Sequence, residues 1–463
     1  MYKTHVTCAL YLSALSCILA LVSPVNADES TFDLNVSISN KDQCRVSANI
    51  QHVGDVVLLT EKKEDPIKFL PLNVQGKISY FQRATGKRQV VRYYENANAT
   101  FKLDKGKRES KLGPKNRMII TRVKSDAGKQ IEMASILDNL TAAELELIDI
   151  VADPITVAAV INKKDIKTGD RWTPNDEALA KFLDVRSITK SKVELFAKKI
   201  DADGARIYIR GIAEAKVDDV ETTINLSGIL LIDMKKQALS SMKLTVQEKR
   251  GPGQIAPGFE GKTQIDVRLA NDASTPFLSD KSLAKLTTGV KIQQRLKWES
   301  KSGSFNMNYD PNWKMIASED DAALLRLLDK GRLLAQCNVV LLPKRPSTKL
   351  VTLDQYKDQV RKIAEGDKSA KMAKAFERTT TNGNKAICVV VKGEEDEVPV
   401  QWNYYHVGAP DGRQVTFVFT LESSVSDRVA VHANRIVDEL KFGPMPSKVA
   451  NRKSATPQTG LRK

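Results

Sequence analysis

Apolar side chains at every second position recur from residue 30 to residue 250, and that period commits those segments to β-strands. Phe32, Leu34 and Val36 alternate with polar residues. Similar runs follow at 44–50, 55–61, 74–82, 90–103, 118–124 and 130–136, and again at 187–199, 205–213, 220–226, 228–234 and 239–248. Turn sequences such as Ser125-Asp126-Ala127-Gly128 and Asp201-Ala202-Asp203-Gly204 join neighbouring runs. Strands joined in sequence this way form an antiparallel meander, which ends up as a barrel, a half-barrel or a sandwich.

Two helical stretches interrupt the strands. Thr141-Ala142-Ala143-Glu144 is a capping box and opens a helix over 142–152, stopped by Asp153-Pro154. A second helix covers 175–183, with Asn175 as its cap. Between them, Gly169-Asp170 makes a turn and Trp172 packs inward.

The turn-rich 250–280 region is a natural joint, so the chain divides into a β-rich domain over 28–275 and a second domain over 276–445. The second domain has mixed patterning. Thr352 and Gln355 form another capping box, followed by Leu353, Tyr356, Val360 and Ile363 on one helical face. Val398, Val400, Trp402, Tyr404 and His406 alternate, then Val415, Phe417, Phe419 and Leu421, with the turn Ala409-Pro410-Asp411-Gly412 between them. A closing helix runs over 427–440. The 321–342 stretch reads either as a helix over 322–328 or as a hairpin turning at 329–332, with the hairpin preferred. The expected class is therefore α+β: an antiparallel β-rich barrel, half-barrel or sandwich, then an antiparallel sheet flanked by helices.

Lys3, the apolar run 6–22 and Val25-Asn26-Ala27 together read as a signal peptide over 1–27, cut after Ala27. An uncleaved anchor and a lipoprotein based on Cys17 fit the same segment less well, because the run is short for a span and continues past Cys17. The expected address is secreted or periplasmic. With 72 basic and 56 acidic residues the net charge is +16. Outside the cytoplasm such a charge points to anionic lipid, acidic glycan or an acidic partner rather than nucleic acid, or simply to solubility. Residues 446–463 are basic and nearly free of large apolar side chains, and read as a disordered tail.

Little in the sequence carries chemistry. No nucleotide-binding, hydrolase or zinc-protease motif is present, and no cofactor, metal or catalytic residue is expected. Cys388, His406 and Asp411 could be cast as nucleophile, base and orienter, but Cys388 lies in an apolar run and reads as packing. Cys337 and Cys388 would pair as a disulfide if their two strands lay side by side; otherwise both are small buried residues. Glu394-Glu395-Asp396-Glu397 reads as a solvated loop rather than a cation site. The segment with Lys102, Lys105, Lys107, Arg108, Lys111, Lys115 and Arg117 sets seven bases against Asp104 and Glu109. It reads as a long basic loop, either a contact for an anionic surface or a solvated hairpin tip.

Phe305-Asn306-Met307-Asn308-Tyr309-Asp310-Pro311-Asn312-Trp313, the strand Gln401-Trp402-Asn403-Tyr404-Tyr405-His406, the strand over 414–421 and the helix leading into Lys441-Phe442 give 298–442 an order that resembles the PsbP-like α/β/α sandwich family. That resemblance implies a docking or binding module rather than an enzyme. Through Lys167-Thr168-Gly169-Asp170-Arg171-Trp172 the first domain resembles secreted bacterial domains of unknown function. The expected function is a non-enzymatic protein that binds an apolar or amphiphilic ligand or a protein partner. The alternatives are a structural, surface-adhering envelope protein and, third, an enzyme of unrecognised type.

Overall fold

A computed structural model describes residues 30–444, apart from 38–42, 61–66, 87, 125–130, 218–219, 254–255, 288–293, 330–331, 347–349 and 367. The leader at 1–27, the tail at 446–463 and the turn at 125–128 lie outside the described residues.

Thirteen strands form one open antiparallel sheet. Its path runs Arg171–Trp172, Glu194–Ile200, Gly204–Val217, Val220–Asp233, Ala238–Arg250, Gly258–Ala270, Gln43–Leu59, Ile67–Gly86, Gln89–Leu103, Met118–Val123 and Ile131–Ser135. Ser187–Ser191 and Gly106–Lys111 pair at its margins. The order follows the chain except at one joint, where Gly258–Ala270 pairs with Gln43–Leu59 and joins the two halves of the meander. At that joint Gly261 faces Gly54. A Cβ on Gly54 would lie 2.4 Å from the Glu260 carbonyl oxygen, so only glycine permits the approach.

Alternation sorts each strand into a wet and a dry face. Along Gly204–Val217, Ala205, Ile207, Ile209, Ala213 and Ala215 are buried, while Arg206, Arg210 and Glu214 face solvent. Three helices, Ala142–Ile148, Pro154–Ile161 and Asp176–Leu183, come from the stretch between Ile131–Ser135 and Ser187–Ser191 and share one core with the dry face. Both sequence-read caps are present: Thr141 accepts from the Glu144 amide, and Asn175 from the Ala178 amide. The first helix ends early, at Ile148, and Pro154–Ile161 follows as a helix in its own right.

A second antiparallel sheet of seven strands runs Trp313–Glu319, Ala322–Asp329, Arg332–Leu342, Gln414–Glu422, Val398–Gly408, Lys385–Glu395 and Lys371–Thr379. The 321–342 stretch is thus two paired strands. Leu353–Ala364 packs on one face through Tyr356 and Val360, and Ser426–Asp438 on the other through Val429, Ala433, Ile436 and Val437. A small sheet joins Leu140–Thr141 with Leu296–Glu299, Phe305–Tyr309 and Lys441–Phe442.

The expected α+β class is corrected by this architecture. Strands take up 59% of the structure and helices 17%, so the protein is mostly β, and among the described residues no sheet closes into a barrel. The two helices expected against the seven-stranded sheet, Leu353–Ala364 and Ser426–Asp438, are too small a share of the structure to make the fold α+β. The apolar alternation already satisfies most of the core by sheet formation, and helices fill only the remaining faces.

The Cys337–Cys388 disulfide is also corrected. Strands Gln414–Glu422 and Val398–Gly408 lie between the two that carry these cysteines. Three strand spacings of ~4.8 Å put them on the order of 14 Å apart, far beyond bonding reach. Both are buried free thiols.

Candidate ligand cavity

One row of the dry face of the first sheet is polar at its centre. Cys44 pairs with Gln82 and Gln82 with Arg92, so these three side chains line up across adjacent strands. The next row is Val46, Tyr80 and Tyr94. Arg92 is completely buried and reaches Asp153, which precedes the Pro154–Ile161 helix. Its two terminal nitrogens donate to the Asp153 carboxylate at 2.7 and 2.5 Å. Asp153 also caps that helix by accepting from the Ile155 amide at 3.0 Å. Tyr80 lies under the guanidinium, 4.6 Å from its ring centre.

Burial disfavours the Arg92 charge, but the Asp153 carboxylate more than offsets it and holds the guanidinium protonated well above its ordinary range. Burial pushes the Tyr94 phenol up to about 12 and raises that of Tyr80 well above its ordinary value. Among the described residues, Tyr80 Oη and Arg92 Nε have no hydrogen-bond partner.

Beside this row lies a cavity of about 650 Å³. Pro154 and Ala158 of the helix form one wall; Cys44, Gln82, Leu239 and Leu269 of the sheet form the other. Its rim is polar: Lys236 donates to Asp272 at 2.7 Å, with Asn271 and Ser274 alongside. Burial raises the Cys44 thiol pKa. The arrangement suits a molecule with an apolar body and a polar end.

The residues singled out from sequence are elsewhere. Lys102, Lys105, Lys107, Arg108 and Lys111 lie exposed on the hairpin between Gln89–Leu103 and Gly106–Lys111. Lys115 is in the short 3-10 turn Pro114–Asn116, and Arg117 is half-buried beside Tyr94. The long basic loop is therefore a paired hairpin followed by a turn. Lys107 pairs with Glu109 at 2.8 Å, and Arg108 stacks over Phe101.

Cys388 and His406 sit on opposite faces of their sheet, since Cys388 is opposite Tyr405 and His406 opposite Ile387. They cannot act as nucleophile and base together. Asp411 instead pairs with Arg413 at 2.8 Å. Asp396 and Glu397 of the acidic cluster form a left-handed turn at φ 49° and 66°, and among the described residues no metal-binding group is found.

Sequence reasoning missed Arg92, Asp153 and the cavity. The Asp-Pro pair was legible as a helix boundary but not as a helix start, and an arginine within Val90-Val91-Arg92-Tyr93-Tyr94 was the one available sign of a buried charge.

No protein family and no curated protein matches the chain. Solved structures do share parts of its shape. Cyanobacterial PsbP (CyanoP) from Synechocystis sp. PCC 6803 is 17% identical over 33% of this chain and 95% of its own, with a TM-score of 0.26. A structure from Bacteroides thetaiotaomicron VPI-5482 is 16% identical with a TM-score of 0.23; the match covers 33% of this chain and only 50% of that one. A Pseudomonas aeruginosa protein of unknown function, PA94, described as a putative regulator, is 10% identical over 33% of this chain and 99% of its own, with a TM-score of 0.23.

Proposed function

We propose that the protein is a non-enzymatic binding protein, secreted or periplasmic after cleavage behind Ala27, which holds an apolar or amphiphilic molecule between the Pro154–Ile161 helix and the first sheet. The observation that carries this reading is the cavity of about 650 Å³ with an apolar helix wall and a charged rim. A volume of this size suits a small ligand, and its single polar end would orient one. The seven-stranded sheet is read as a docking module, as the PsbP-like resemblance of its sequence implies.

The test is binding of a dansyl-labelled fatty acid to the purified protein, beside native mass spectrometry of protein taken from its host. Saturable binding that Ala158→Trp removes, with the melting temperature kept, supports the cavity. Equal binding by wild type and Ala158→Trp, or none by either, would overturn it.

A further inference from the structure

The polar end of the cavity does not stop at its rim. It continues inward along the row of Cys44, Gln82 and Arg92. Asn271 and Asp272 at the rim follow the strand Gly258–Ala270. Gln43–Leu59 separates that strand from Ile67–Gly86, which carries Gln82. Gln82 is therefore about two strand spacings, roughly 10 Å, in from the rim.

Gln82 lines the cavity and is only 2% exposed. Its donor end hydrogen-bonds the Cys44 thiol and partly offsets the effect of burial there. Its acceptor end is unmet. Among the described residues, Gln82 Oε1 is the one buried side-chain nitrogen or oxygen on the cavity wall without a hydrogen-bond partner. Arg92 lies directly opposite Gln82 in the next strand. Its two terminal nitrogens serve Asp153, while its Nε carries no hydrogen bond. The row thus sets an unmet acceptor beside an unmet donor, and leaving either group unpaired is costly.

The charges around the cavity are already neutralised. Lys236 donates to both Asp272 oxygens at 2.7 Å, and Asp153 holds Arg92. A carboxylate has no proton to give Gln82 Oε1 and meets no unpaired cation in these two pairs. A hydroxyl carries no charge and both donates and accepts. We infer, on the reading that the cavity is the binding site, that it takes an uncharged apolar molecule headed by a hydroxyl, which donates to Gln82 Oε1 and accepts from Arg92 Nε. The chain of that molecule lies against Pro154, Ala158, Leu239 and Leu269.

The experiment displaces the dansyl-labelled fatty acid from the purified protein with dodecanol, dodecyl methyl ether and dodecanoate, at about pH 8 so that the acid is ionised. Dodecanol is expected to act at roughly tenfold lower concentration than either of the others. The ether keeps the chain and the oxygen but has no proton to donate, so it tests the Gln82 contact without any substitution. In Gln82→Met, which keeps the side-chain length, the advantage of the alcohol should disappear while the melting temperature holds. Equal displacement by all three in wild type, as a water held between Gln82 and Arg92 would give, overturns the inference and leaves the cavity reading standing. An alcohol advantage that Gln82→Met retains does the same. No binding of the probe, or binding that Ala158→Trp leaves unchanged, overturns both.

Discussion

Arg92 and Asp153 form a two-pronged ion pair with neither side chain exposed to solvent. One comes from the middle of a strand, the other from the residue ahead of a helix, so the pair ties the helical cover to the sheet. Leaving one buried charge alone is far costlier than removing both, since the survivor keeps its desolvation penalty without its partner. Arg92→Met or Asp153→Ala alone should each lower stability by about 3–5 kcal/mol. The double variant should be markedly more stable than the sum of the two. Urea unfolding of the four proteins in a double-mutant cycle measures this, and additive losses would contradict a direct pair.

The three described thiols should differ in reactivity. Burial pushes Cys337 far up and Cys388 to about 11, while Cys44 is only half-buried and lines the cavity. Because thiolate is the reacting form, a maleimide should label Cys44 first in the folded protein and reach the other two only in urea. Non-reducing peptide mapping should find no Cys337–Cys388 bond. Labelling of Cys388 at the rate of Cys44 would contradict the burial.

The strands and the capped helices were legible because their signals are local. Alternation fixes which side of Gly204–Val217 is dry, and Thr141/Glu144 and Thr352/Gln355 are read off four consecutive residues. The Pro154–Ile161 helix was not legible: Ile155, Val157, Val160 and Ile161 are all buried, and a helix covered on most sides shows no stripe. Arg92 and Asp153 are 61 positions apart, and the joint between Gly258–Ala270 and Gln43–Leu59 links positions more than 200 apart. The cavity depends on both, so local patterns could not reveal it. The sequence left Cys337 and Cys388 open between a disulfide and two buried thiols for a related reason, because apolar runs identify strands without giving their order in the sheet.

Glu144 does more than close its capping box. Its carboxylate accepts from the Thr141 amide at 2.9 Å, the Gly113 amide at 2.8 Å and the Asn116 side chain at 2.9 Å. It thus fixes the far end of the basic hairpin segment to the first helix. Thr141→Ala should cost about 1 kcal/mol, as loss of an N-cap does. Glu144→Ala should cost about 2–4 kcal/mol, because two further donors lose their partner. It should also raise amide exchange at Gly113, which Thr141→Ala leaves alone. Equal costs for the two variants would mean that Glu144 serves the cap only.

His406 should make the second sheet acid-sensitive. Burial, with Arg345 and Lys385 adding positive charge nearby, lowers its pKa to about 4. Its ring lies 5.3 Å from that of Tyr356, which packs the Leu353–Ala364 helix on the sheet. The folded pKa is below the unfolded value of ~6.5, so the unfolded chain binds more protons between the two. Stability is therefore full above about pH 6.5 and is lost as pH falls towards 4. Between about pH 7 and pH 5 this one group should account for roughly 2 kcal/mol. Urea midpoints for wild type and His406→Gln at the two pH values isolate it, because every carboxylate contributes equally to both proteins. The variant should be less stable at pH 7 but lose less on acidification. Parallel losses in the two proteins would show that His406 titrates freely and that the packing around Tyr356 does not exclude its charge.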